Sequence, residues 1–268
     1  MTSILLSCDT QDNSWYKILN ETELDSDLKE ISGLTYYKDG ILLAIQDEDG
    51  MLFFINEKTG EIVQKEKFGK KGDYEGVTLV NNTAYILKSD GDLFAYDLDT
   101  KETNKINNTI TKDYEFEGVF YEARTKRLIL TCKNAPKKAQ KKELLFFGYD
   151  LTKNKWIKDP IYKVKRKDIN QLSYANLDDL KPSGIMQNPI NNEVYILASQ
   201  GKSILVLDMN FKVQNVVHLL INSIQPEGIC MSSEGFPIIS SESVSGNKAR
   251  MFTLLLREDI PSSAKFDE

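Results

Sequence analysis

One tripeptide, returning at nearly constant spacing, limits this chain more than any other feature. Ser or Glu, then Gly, then an aliphatic residue occurs at Ser32-Gly33-Leu34, Glu75-Gly76-Val77, Glu117-Gly118-Val119, Ser183-Gly184-Ile185 and Glu227-Gly228-Ile229. The glycines stand 43, 42, 66 and 44 residues apart. A period of roughly 40–50 residues marks a fold made of repeated small sheets, such as the blades of a β-propeller.

The same elements follow each tripeptide. An apolar run comes first: Ile41 to Ile45, Ala84 to Leu87, Leu128 to Thr131, Val194 to Ala198 and Ile238 to Ser240. A polar turn then leads to a third strand at Leu52 to Ile55, Leu93 to Tyr96, Leu144 to Tyr149, Ile204 to Leu207 and Met251 to Leu256. Short β-rich runs broken by Gly, Asn and Asp are strand signals. Asp39-Gly40, Asp49-Gly50 and Asp90-Gly91 are hairpin signals, and Thr59-Gly60, Asp99-Thr100 and Lys153-Asn154 fall where a fourth strand should begin.

Two insertions account for the long interval: a lysine-rich hairpin loop around Pro136 to Lys142, and a connector from Lys165 to Leu180. The expectation is therefore an all-β, five-bladed propeller, with six blades as the alternative. Blade five has only three strands after Glu227, and Trp15 to Leu19 can supply the missing outermost one. Such closure joins the chain ends and removes a free sheet edge. The domain is expected to span 14–260, with 1–13 as a tether and 261–268 as a tail.

A net charge of −6 and 41% apolar residues suit a soluble globular protein rather than a disordered or membrane-spanning one, and do not favour a polyanionic partner. The basic cluster Lys137, Lys138, Lys141 and Lys142 lacks interleaved aromatics for base stacking, so no nucleic-acid partner is expected. Cys132 and Cys230 read as packed thiols, because the three cysteines form no metal-ligand spacing. Leu5-Leu6-Ser7-Cys8 resembles a bacterial lipobox, with Cys8 as the lipidated residue and Asp9 to Ser14 as a tether to the membrane. The apolar run before it is shorter than a signal sequence needs, so a cytoplasmic protein beginning at Met1 stays open beside the envelope reading. A monomer is expected.

The chemistry should lie at the axis. Glycine in an innermost strand lets backbones crowd together, and the residue before it then faces the channel mouth. On that reading Glu75, Glu117 and Glu227 converge, while Ser32 and Ser183 line the channel with hydroxyls. Asp47, Asp90, Lys133 and Glu242, in turns after the second strands, are further candidates. A lone Glu-Gly pair is also what a turn with a capping carboxylate looks like; three at blade period point to convergence. Crowded carboxylates repel unless a proton or cation intervenes. The proposed metal ligands are therefore Glu75, Glu117, Glu227, Glu242, Asp90 and Asp47, with Ca²⁺ as the cation, since it takes 6–8 oxygen ligands in flexible geometry.

The runs Gly72-Asp73-Tyr74-Glu75-Gly76-Val77, Phe116-Glu117-Gly118-Val119, Leu177-Asp178-Asp179-Leu180 leading to Ser183-Gly184-Ile185, and Gln225-Pro226-Glu227-Gly228-Ile229 make the chain resemble the SdiA-regulated, YjiK-like family. That resemblance covers about Leu28 to Leu256. It implies a five-bladed propeller with a calcium site, distantly related to NHL-repeat propellers, in mostly envelope proteins of unsettled function.

Two functions fit these residues. One is a binding module in which calcium stiffens the channel mouth and the turns recognise a small molecule or an envelope protein. The other is a calcium-dependent hydrolase of the phytase, esterase or lactonase kind, with Lys133 or Lys88 steadying an oxyanion. The chain's single histidine, His218, reads as part of an outer strand of blade four, and no Gly-x-Ser-x-Gly elbow is present. The binding reading is preferred.

Overall fold

A computed structural model of the chain describes residues 15–110, 113–136, 142–222 and 224–257. Twenty strands form five four-stranded antiparallel sheets. Blade one is β2 (Ile31–Lys38), β3 (Ile41–Gln46), β4 (Met51–Asn56) and β5 (Ile62–Lys67). Blade two is β6 (Tyr74–Val80), β7 (Thr83–Lys88), β8 (Leu93–Asp97) and β9 (Thr103–Ile106). Blade three is β10 (Glu115–Glu122), β11 (Arg127–Asn134), β12 (Glu143–Asp150) and β13 (Lys155–Lys165). Blade four is β14 (Lys181–Gln187), β15 (Val194–Gln200), β16 (Ser203–Leu207) and β17 (Val213–His218). Blade five is β18 (Pro226–Met231), β19 (Pro237–Ser241) and β20 (Arg250–Leu256), completed by β1 (Tyr16–Glu23).

The protein is thus a five-bladed β-propeller, and no sixth blade is needed. The closing strand is longer than the sequence suggested: it pairs from Tyr16 with Leu256 to Glu23 with Arg250, with a bulge between Ile18 and Asn20. The Tyr16 hydroxyl accepts a hydrogen bond from the Leu220 amide at 2.9 Å, fixing the start of this strand against blade four.

Each blade is a thin sheet covered on both faces by its neighbours, so its middle strands are continuous apolar runs rather than alternating ones. Leu42, Leu43, Ala44 and Ile45 of β3 are all buried, whereas most of β5 at the rim is exposed. The core is accordingly divided into five clusters, one in each seam between blades. The aromatics of the third strands belong to these seams: Phe54 and Tyr96 lie between blades one and two, and Phe146 packs edge-on against Phe211 between blades three and four.

The Asp39-Gly40 turn has positive φ at both residues (51° and 72°), as the hairpin signal requires. Asp49-Gly50 is different. Gly50 is absent from the positive-φ residues and instead lies against the Gly69 backbone, leaving no room for a side chain. The connector before blade four contains a helix not anticipated from the sequence, α1 (Arg166–Leu172). Ile169, Leu177 and Leu180 of this connector pack into the seam between blades three and four. The Arg166 guanidinium donates to the Leu180 carbonyl at 2.9 Å. Most of the lysine-rich loop (137–141), Cys8 with its tether, and the tail at 261–268 lie outside the described residues.

Candidate functional site

In every blade the residue before the tripeptide pairs with the second strand: Ile31 with Gln46, Tyr74 with Lys88, Phe116 with Cys132, Pro182 with Ala198 and Pro226 with Ser241. The register then shifts, leaving the first tripeptide residue without a partner in the ladder. A bulge re-aims a side chain and recurs beside functional sites. Ser32, Glu75, Glu117, Ser183 and Glu227 therefore occupy equivalent bulged positions in the inner strands.

The same register defines a second set, one residue past the pairing on each second strand: Asp47, Ser89, Lys133, Ser199 and Glu242. The backbone joins these sets across seams. The Tyr74 amide donates to the Asp47 carbonyl and the Phe116 amide to the Ser89 carbonyl, both at 2.9 Å. The tripeptide glycines make this approach possible: a Cβ at Gly33 would stand 3.0 Å from the Gly76 Cα, and one at Gly184 would stand 2.6 Å from the Glu227 carbonyl.

The three glutamates do converge, and they do so around a lysine. Lys133 Nζ lies 2.7 Å from a Glu117 carboxylate oxygen, and Glu117 is only 3% exposed. Burial, then the charges of Glu117 and Asp73, push the Glu75 carboxyl up to about 10, so it carries a proton at neutral pH. The Glu117 carboxyl is raised by burial and drawn back down by Lys133 and Glu75. Burial, Glu117 and Glu242 hold Glu227 well above the usual carboxylate range. Burial works to lower the Lys133 ammonium, but Glu117, Glu227 and Glu75 together keep it above the ordinary lysine value.

A second acidic group sits beside the first. Asp47 is raised by burial and by Glu30, Glu48 and Asp73; Glu242 is raised by burial and by Asp47 and Glu30. Asp47 Oδ1 is buried without a hydrogen-bond partner, whereas Glu30 Oε2, which also lacks one, lies 3.5 Å from the Lys29 ammonium.

Other expected residues have different roles. The Ser32 hydroxyl donates to the Tyr74 carbonyl at 2.6 Å and that of Ser183 to the Pro226 carbonyl at 2.7 Å. Both hydroxyls are therefore committed to the neighbouring blade rather than presented to the channel. Asp90 is committed to its own turn: it accepts from the Asp92 amide at 3.0 Å and pairs with Lys88 at 3.2 Å. The register gives its expected place to Ser89, whose hydroxyl bonds Asp73. Cys132 and Cys230 are buried free thiols, as expected. His218 ends β17, with its ring nitrogens 3.0 Å from Ser173 Oγ and 3.3 Å from Ser203 Oγ.

A family model described as SdiA-regulated matches residues 10–244. The chain belongs to the SdiA-regulated family. Comparison with curated protein sequences finds no match. Among solved structures, glutaminyl cyclase from Myxococcus xanthus superposes with a TM-score of 0.62 at 13% identity, over 90% of this chain and 95% of that one. A PQQ-bound aldose sugar dehydrogenase from Streptomyces coelicolor gives 0.56 at 11% identity, over 89% and 97%. A streptogramin B lyase gives 0.53 at 9% identity, over 90% and 99%. At these identities the likeness is one of fold and carries no chemistry across.

The donors of this SdiA-regulated protein suit a hard cation in kind, since all are carboxylate oxygens and Asp47 Oδ1 is buried without a hydrogen-bond partner. As placed, no three His, Cys, Asp or Glu side chains among the described residues stand close enough to hold a metal ion. Glu117 is closed instead on the Lys133 ammonium. Sequence reasoning missed Glu30 and Asp73: each lies two residues before the first tripeptide residue but outside the strand, in the segment leading into it, so no strand period marks it.

Proposed function

We propose that this SdiA-regulated propeller captures Ca²⁺ at its acidic channel mouth and, so organised, acts as a binding module for a small molecule or another protein of the bacterial envelope. One observation carries the reading: Asp47 Oδ1 is buried without a hydrogen-bond partner, and the Asp47 carboxylate is close enough to Glu30, Asp73 and Glu242 to feel their charge. Leaving a buried polar group unsatisfied costs about 1–3 kcal/mol, more for a charged one, and a divalent cation would supply what this oxygen lacks.

The ligands would be drawn from Glu30, Asp47, Glu242, Glu75, Glu117 and Glu227. Bound calcium would add two positive charges and hold the turns of separate blades in fixed relation. The chain's own contribution is to keep these groups on bulged, interlocked strands and to offer the surrounding turns as a recognition surface. Binding is preferred to hydrolysis because the one histidine is engaged by Ser173 and Ser203 in blade four, which removes the usual base from the channel. The envelope part of the reading rests on Cys8, which would carry the lipid anchor.

Metal analysis of the purified protein, with thermal melts in calcium and in EDTA, tests the proposal. About one calcium per chain and a lower Tm in EDTA are expected; a ligand at a hundredfold excess over its Kd stabilises by about 2.7 kcal/mol. Melts that coincide in EDTA and calcium would overturn it, and turnover of ester, lactone or phosphate substrates abolished by Glu117→Gln would replace binding with hydrolysis.

A further inference from the structure

A cleft of about 590 Å³ lies between the outer hairpin of blade three and the connector that follows it. Four cations line it, Lys142, Lys165, Arg166 and Lys167, against two carboxylates, Glu143 and Asp178. The chain as a whole carries a net charge of −6, so the cleft reverses that charge locally. We infer that this cleft binds a small molecule bearing two or more anionic groups, phosphate or carboxylate. The site lies outside the calcium reading and does not depend on it.

The fold, rather than one flexible run of lysines, gathers these cations. Glu143 at the start of β12 pairs with Lys165 at the end of β13, and the Arg166 amide donates to the Lys142 carbonyl at 2.9 Å, so two segments distant in sequence are locked side by side. Arg166 is only 4% exposed, and its guanidinium donates to the Leu180 and Leu177 carbonyls at 2.9 and 3.4 Å. Those two partners are neutral and cancel none of its charge. Ile169, Leu177 and Leu180 hold the same connector in the seam, which makes this wall of the cleft rigid.

The carboxylates leave the lysines open. Asp178 accepts from the Asn170 side-chain amide at 2.7 Å, and among the described residues Lys142, Lys165 and Lys167 make no ion pair. A cleft lined by one sign of charge focuses its field and concentrates counter-ions. Its volume falls within the range of about 300–1,000 Å³ typical of small-molecule sites, and Gln171 adds a neutral hydrogen-bonding group to orient a ligand. β10 begins, β11 ends, β12 begins and β13 ends on the same side of blade three, so the cleft lies at the end of the ring that carries Glu117 and Lys133.

The test titrates the full chain, stripped of metal and dialysed free of chelator, with sodium pyrophosphate and with sodium citrate in a calorimeter. Saturable binding by wild type is expected; pyrophosphate alone would mark a phosphate site and citrate alone a carboxylate site. The double variant Lys165→Met/Lys167→Met alters two exposed side chains and should melt like wild type, yet bind about tenfold more weakly, equivalent to ~1.4 kcal/mol. Lys155→Met/Lys212→Met, which removes the same charge from exposed positions elsewhere, should bind like wild type. Equal affinities in the two double variants would overturn the inference, as would wild type binding neither anion. Flotation with phosphatidylglycerol vesicles by a chain that binds neither soluble anion would replace the small-molecule site with a membrane contact. Since no calcium is present, the outcome is separate from that of the calcium site.

Discussion

The Ser32 hydroxyl donates a hydrogen bond to the Tyr74 carbonyl at 2.6 Å, across the seam between blades one and two. Ser183 does the same to Pro226 between blades four and five. One place in the repeat thus has two uses: a serine there fastens the ring, and a glutamate there joins the group around Lys133. Ser32→Ala should lower stability by about 1–2 kcal/mol, because the Tyr74 carbonyl is left buried without its donor. Urea unfolding measures this, and calcium affinity should be unchanged. A variant as stable as wild type would show that the bond contributes nothing.

The inner strands approach too closely for a methyl group. A Cβ at Gly184 would stand 2.6 Å from the Glu227 carbonyl, which is backbone and cannot rotate away. Gly184→Ala should therefore cost about 1–3 kcal/mol or more by overpacking. Gly246 is the contrasting site: a Cβ there would meet nothing within 4 Å, and with a φ of 83° only backbone strain opposes alanine. Equal melting temperatures for wild type and Gly184→Ala would contradict the tight ring.

Closure by β1 gives a third prediction. This strand covers the edge of β20 from Leu256 to Arg250, and its Tyr16 packs with Phe252 and Leu254 in the seam between blades four and five. Deleting residues 15–20 should expose that edge and destabilise all five blades together, since each seam depends on its neighbours. Size-exclusion chromatography should show self-association, and the Tm should fall. A truncated chain that stays monomeric and melts like the intact one would remove β1 from the closure.

His218 supplies a pH dependence. Burial lowers its imidazole to about 4, from an ordinary value of 6.5, so the folded protein holds it neutral. The unfolded chain takes up the proton first as pH falls. Stability from this group is therefore complete above about pH 6.5, declines between about 6.5 and 4, and is constant below. The expected loss by pH 4.5 is roughly 2 kcal/mol. Urea unfolding of wild type and His218→Gln at pH 7 and 4.5 isolates the effect, because the carboxylates titrate alike in both. Equal losses in the two proteins would refute a neutral buried imidazole.

The sequence determined the blade count, the strand order and the closing strand. It could do so because a repeat repeats its physics: the glycine interval, the apolar run and the turn residues recur together, and each is a local signal. It did not reveal α1, whose residues pack into a seam set by blades three and four, or the true place of Asp90, displaced by one residue from the equivalent position held by Ser89. Only the tertiary structure decided that Ser32 and Ser183 fasten seams, that Glu30 and Asp73 stand near Asp47, and that Lys133 is the partner of Glu117. Most of these relations run between blades, where neighbours are some forty residues apart in the chain. No local pattern encodes them, because they follow from bulges and register that exist only once the ring has closed.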